Sequence, residues 1–176
     1  LGFAARRAGR RYPPPLAGRA LSATLIGICG GYQMLGKKIC DKYHVESNSG
    51  EIKGLGLLPI RTHLGKDKIL AQVKARDITS GIEISGYEIH HGISKYERSC
   101  SPFFEILERN GRVTRCPDGF RRKDGRVFGT YIHGLFDADT FRRVFLNGIR
   151  RRKGWQPLPE KNCFDPDREF DKLARL

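Results

Sequence analysis

An apolar, β-branched run from Ala23 to Ile28 ends in Gly27-Ile28-Cys29-Gly30-Gly31, and a segment of helical character follows at once. Strand, Gly-x-nucleophile-x-Gly, helix is the order of a nucleophile elbow. It commits the chain to a strand that feeds a helix through a very tight turn. Side chains beside the nucleophile would collide there, so glycines are expected on its flanks. The turn sets Cys29 Sγ at the start of the helix, where the dipole favours thiolate over thiol. The amide of Gly30 can then face an oxyanion. A cysteine among glycines is more often a small core residue than a nucleophile. The apolar strand and the paired glycines favour the nucleophile here.

With 176 residues the chain is sized for one domain with a real core. No apolar run reaches the ~18 residues of a membrane span. The five cysteines (29, 40, 100, 116 and 163) are odd in number and lack C-x-x-C spacing. Neither a zinc site nor a disulfide framework is expected, and a reducing cytoplasm fits best. The net charge is +14, with arginines clustered at Arg6, Arg7, Arg10, Arg11 and Arg19 and again at Arg150 to Arg152. Scattered, solvated arginine is the plainest reading. Attraction of a polyanionic small substrate ranks second. A nucleic-acid surface ranks third, because no nucleic-acid motif accompanies the charge.

The first acid is Asp41, and residues 1–24 form a basic, proline-interrupted leader expected to be poorly ordered. Its mismatch with the rest suggests a truncated or mis-started piece of a longer gene. Residues 25–158 read as a partial catalytic domain and 159–176 as an irregular tail with a terminal helix. Tyr32 to Cys40 is expected as a short helix, Ser47 to Gly50 as loop and Leu55 to Ile60 as a strand. Lys68 to Ala75 and Ile82 to Ile93 alternate as neighbouring antiparallel strands. Asn110-Gly111 predicts a hairpin between 103–108 and 111–115. Asp118-Gly119 and Asp124-Gly125 predict two further turns. Arg126 to Ile132 is a β-rich run, and Asp137 is expected to cap a helix over 138–150.

Gly-Ile-Cys-Gly-Gly-Tyr-Gln-Met-Leu-Gly (27–36) resembles the nucleophile segment of the triad-type (class I) glutamine amidotransferase domain of the cobyric acid synthases. Gly54-Leu-Gly-Leu-Leu-Pro59, Gly86-Tyr-Glu-Ile-His-His-Gly92 and Gly129-Thr-Tyr-Ile-His-Gly-Leu-Phe136 agree with it in order and character. The likeness covers roughly residues 20–158. It implies an α/β fold: an open, mostly parallel, flavodoxin-like sheet with helices on both faces, an antiparallel strand extension, and the N-terminal strands missing.

The same resemblance makes His133 the base and places Gln33, Tyr87, His90, His91 and Gly92 at the glutamine substrate. His90 and His91 are adjacent and point oppositely on a strand, so no metal is expected in this domain. The general class I pattern has a glutamate two positions after the histidine, where this chain has Leu135. The site therefore reads as a Cys–His dyad, or as a triad completed by Asp137 or Glu88. The implied reaction is hydrolysis of glutamine to supply ammonia. A separate synthetase domain, with ATP and Mg2+, would use it to amidate corrin carboxylates of adenosylcobyrinic acid a,c-diamide. This chain has no phosphate loop of its own. The competing readings are an inactive remnant or interaction subunit, and a glutaminase serving another ligase.

Overall fold

The computed structural model describes residues 23–97, 101–159 and 166–175; residues 1–22 of the expected leader, with Cys100 and Cys163, lie outside them. The chain divides into two compact units, Leu1–His133 and Gly134–Leu176.

In the first unit, β1 (Leu25–Ile28) runs parallel to β8 (Val127–Thr130), with Gly27 opposite Gly129 and Ile28 opposite Thr130. The chain then turns into α1 (Gly30–Leu35). A Cβ on Gly27 would lie 2.6 Å from Leu35 Cδ1, and one on Gly129 2.3 Å from the Tyr32 ring. The paired glycines thus form the floor on which α1 rests. At Gly30 and Gly31 a Cβ would meet nothing within 4 Å. The expected crowding exists on the strand side of Cys29 only, because the helix leads its first residues away from the sheet.

The helix ends at Leu35 rather than Cys40. Lys37 N–H donates to Ile60 O at 2.9 Å, and β2 (Lys38–Cys40) runs between β3 (Glu51–Lys53) and β4 (Ile60–Asp77). An isolated helix this short is marginal, whereas a ladder on both sides satisfies every strand amide. The expected strand over Leu55–Ile60 is irregular up to Ile60. Leu57 and Leu58 N–H instead donate to Leu35 O at 2.9 Å each, closing the helix C-terminus, and both side chains are buried.

β4 pairs antiparallel with β5 (Glu83–Tyr96), with an irregularity between His63 and Lys68, and on its other edge with β6 (Pro102–Arg109). β6 turns into β7 (Arg112–Arg121) through Asn110 and Gly111, both at positive φ (48° and 75°), as a type I′ hairpin requires. Asp118-Gly119 is not a turn: it lies inside β7, and Asp118 is buried. β7 returns to β8, and β9 (Ile132–His133) docks on β5. The α/β class holds. Parallel ladders seat the nucleophile strand and β2, and the antiparallel extension supplies the other described pairings. Tyr32, Leu35, Leu57, Leu58, Ile60, Phe120, Val127 and Tyr131 form one buried cluster.

In the second unit, α2 (Asp139–Arg152) begins one residue later than expected. Ala138 occupies its N-cap, and no side chain caps it. Asp137 is therefore not the cap; Asp139 in the first turn pairs with Arg142 instead. Asn147 and Leu158 exchange two hydrogen bonds at 2.9 and 2.7 Å, and α3 (Pro166–Leu173) lies in the tail. No described helix is long and apolar enough to cross a membrane.

Candidate active site

Cys29 is held at φ 55° and ψ −118° between β1 and α1. Positive φ in a non-glycine residue costs about 1–3 kcal/mol and persists only where the surroundings enforce it. Cys29 N–H donates to Thr130 O at 2.9 Å, Gln33 N–H donates to Cys29 O at 3.1 Å, and the thiol donates to Ile89 O at 3.4 Å. Burial pushes the Cys29 thiol up, against the pull of the Gly30 amide; farther charges act with opposite signs, Glu46 raising and Lys68 lowering. Desolvation thus acts against the thiolate stabilisation expected at the start of the helix.

His133 ends β9, directly opposite Tyr87 of β5. The two rings stack with centroids 4.9 Å apart and planes 6° from parallel. His133 Nε2 is buried without a hydrogen-bond partner. Burial, then the nearby His90, lowers its pKa below the usual histidine value. A neutral imidazole therefore stands ready to accept a proton. The Cys29 sulfur contacts Ile89 O and the His133 ring contacts Tyr87, so both expected site residues touch β5, two residues apart along it.

That convergence depends on Gly86. A Cβ there would lie 2.2 Å from His133 O. Gly86→Ala is expected to displace β9 and to cost about 1–3 kcal/mol of stability. Thermal melts check the stability, and glutamine turnover in the same sample should fall with it.

The remaining predicted residues fall on the same strand or against it. Gln33 Nε2 donates to His91 O at 3.0 Å and to the Tyr131 hydroxyl at 3.3 Å, tying α1 to β5 and to the β8–β9 link. His90 is buried and stacked on Tyr131 at 3.7 Å, its Nδ1 facing Gly92 O at 3.1 Å. His91 is half-buried, with Nδ1 3.3 Å from Gly65 O, so the two histidines do occupy different surroundings. Gly92 adopts φ 89°, and a Cβ there would lie 2.6 Å from His63 O.

Glu88 does not complete a triad. It is buried, Arg109 donates to both its oxygens at 2.7 and 3.2 Å, and His90 Nε2 lies 3.5 Å away. Burial would raise its carboxyl, but His90 and Arg109 hold it below the usual range. It sits opposite Ile132, one residue from Tyr87, so its side chain leaves the other face of β5. Asp137 is exposed and belongs to the second unit.

Asp118 is a further residue of the site, one that sequence reasoning missed. Its carboxylate accepts from the Thr130 hydroxyl and, at 3.2 Å, from Tyr131 N–H; Thr130 Oγ1 in turn accepts Ile132 N–H at 3.0 Å. Thr130 O receives Cys29 N–H. One buried acid thus fixes the segment that runs from Thr130, the acceptor of Cys29 N–H, to His133. Burial pushes its pKa up to about 6. Its only sequence signal was a following glycine, which reads as a turn.

Residues 19–141 match the CobB/CobQ-like glutamine amidotransferase domain. The chain is 45% identical to a cobyric acid synthase of Clostridium botulinum (strain 657 / Type Ba4) over 156 residues, covering 86% of this chain and 31% of that protein. It is 44% identical to the cobyric acid synthase of Thermoanaerobacter sp. (strain X514) over 163 residues, 86% of this chain and 32% of that protein. For the cobyric acid synthase of Clostridium tetani (strain Massachusetts / E88) the figures are 43% over 159 residues, 88% and 31%. The chain thus spans about a third of the length of these relatives. PurLQS from Thermotoga maritima aligns with a TM-score of 0.48 at 19% identity, over 72% of this chain and 62% of that one. The match across residues 19–141, most of the chain, makes this a member of the CobB/CobQ-like glutamine amidotransferase family.

Proposed function

We propose that this chain is the glutamine-hydrolysing part of a cobyric acid synthase, with Cys29 as nucleophile and His133 as base. The observation that supports the reading is that both groups contact β5, Cys29 at Ile89 O and His133 at Tyr87. In this reading His133 takes the thiol proton as sulfur attacks the side-chain amide carbon of glutamine. The tetrahedral oxyanion would face the Gly30 amide at the start of α1. His133 returns the proton to the departing ammonia and leaves a γ-glutamyl thioester. A water molecule, deprotonated by His133, then hydrolyses the thioester to glutamate and the free thiol.

Gln33, His90, His91 and Gly92 shape the glutamine pocket in this reading, and no metal takes part. ATP and Mg2+ would belong to a synthetase part of the protein, which would pass ammonia to corrin carboxylates in the cytoplasm. Glutamine-dependent formation of cobyric acid on mixing this chain with the remaining two-thirds of a relative would support the assignment. Ammonia release from glutamine with no transfer to corrin would leave a glutaminase serving another ligase. Absence of both reactions would leave an interaction subunit.

The pH profile follows from the two groups. His133 must be neutral, so kcat/KM falls as the pH drops through its lowered pKa, and the acid limb should lie below pH 6.5. The raised thiol keeps its proton further into alkali, so the plateau should extend beyond the ~8.5 of an ordinary cysteine. An acid limb above pH 6.5 would contradict a buried, neutral base.

A further inference from the structure

We propose that Tyr87 is the positioning residue for His133, holding the imidazole by ring stacking where the class I pattern uses a carboxylate. The proposal rests on the assignment of His133 as base. A catalytic imidazole needs something to fix its plane, and in a triad a hydrogen-bonded acid does this. Here the position two residues after the histidine is Leu135, which has no polar atom to offer. Among the described residues of the first unit no carboxylate pairs with His133. Glu88 leaves the opposite face of β5 for Arg109, and Asp118 is turned to Thr130 and Tyr131 N–H.

What the ring does meet is Tyr87, directly across the β5–β9 ladder, 4.9 Å away and within 6° of parallel. The next residue along β5, Gly86, has no side chain to keep β9 at a distance. Aromatic pairs of this kind attract beyond what burial alone supplies, enough to favour one orientation of a side chain. A π face also attracts the imidazolium formed when His133 takes the thiol proton, so it serves both purposes of the missing acid. The Tyr87 hydroxyl makes no hydrogen bond to a described residue. Tyr87 is 43% exposed, and its contact with His133 is made by the ring.

Glutaminase kinetics of the full chain with Tyr87→Leu and Tyr87→Phe test this. Tyr87→Leu should lower kcat about ten- to a hundredfold, the scale of a misplaced catalytic group, with KM changed less than about threefold. Tyr87→Phe should recover kcat to within about threefold. Unchanged kcat in Tyr87→Leu, an effect on KM alone, or a phenylalanine variant as slow as the leucine one would overturn the proposal. If His133→Gln turns over glutamine at the parent rate, the base assignment itself fails, a separate result. A readout without turnover is the proton NMR shift of the His133 ring, identified by its loss in His133→Gln. It should lie upfield in the parent and Tyr87→Phe proteins and return to an ordinary position in Tyr87→Leu. A shift insensitive to Tyr87→Leu also refutes the stack.

Discussion

Cys29→Ala is expected to lower ammonia release from glutamine by on the order of 10⁴-fold or more, the loss seen when a covalent nucleophile is removed. It should do so in a protein that still folds. The side chain makes one weak hydrogen bond, to Ile89 O at 3.4 Å, and the hydrogen bonds that shape the elbow are backbone ones to Thr130 O and from Gln33 N–H. Alanine keeps all of those, and it bears the positive φ no worse than cysteine does. The melting temperature should therefore stay within a few degrees of the parent, as for a change below ~1 kcal/mol. Ammonia release is measured against glutamine concentration, with a melt of the same sample. Equal rates for the two proteins would remove the covalent mechanism. Loss of activity together with unfolding would show that the sulfur is structural.

The largest stability effect should come from Asp118. In Asp118→Ala, Tyr131 N–H and the Thr130 hydroxyl lose their acceptor inside the protein, at about 1–3 kcal/mol for each unsatisfied group. The same segment receives Cys29 N–H and carries His133, so catalysis should fall with stability. Asp118→Asn separates the hydrogen bonds from the charge. The carboxyl titrates near 6 when folded, against 3.8 for an ordinary aspartate. A folded-state value above the unfolded one means that its stabilising contribution is complete below pH 3.8 and is lost as the pH rises through 6. The span corresponds to about 3 kcal/mol at ~1.4 kcal/mol per pKa unit. The parent should lose stability between pH 4 and 6 from this group, and Asp118→Asn should flatten that part of the curve while keeping an acceptor for Tyr131 N–H. Denaturant melts across this range decide it. A parallel curve for Asp118→Asn would mean that the buried acid is not the group that titrates.

The nucleophile and its surroundings were legible for a local reason. Gly27 and Cys29 are neighbours in sequence, and the clash that makes Gly27 a glycine involves Leu35 and Gly31, only a few residues on. The hairpin at Asn110-Gly111 was readable because positive φ at both positions is a property of those residues themselves. Lys38 to Cys40 and Leu55 to Pro59 were misread because distant partners decide them. The first gains a ladder with β4, and the second gives up strand geometry to cap α1 at Leu35 O. Asp118 was misread for the same reason. The partners that make it a buried acceptor, Thr130 and Tyr131, lie more than ten residues along the chain. Glu88 and Asp137 stood as candidates for a third triad member because a one-dimensional reading cannot say which way a side chain leaves its strand.

By itself the sequence determined the strand–cysteine–helix elbow and the antiparallel hairpins, and it singled out Cys29 as the candidate nucleophile, all from contacts and torsions a few residues long. Only the tertiary structure decided that Cys29 and His133 both contact β5 and what the His133 ring packs against. The register of β5 against β9 puts Tyr87 across from His133 and turns Glu88 away, because consecutive side chains leave a strand on opposite faces. Burial, which exists only once the chain has folded, then pushes the Cys29 thiol up and the His133 imidazole down.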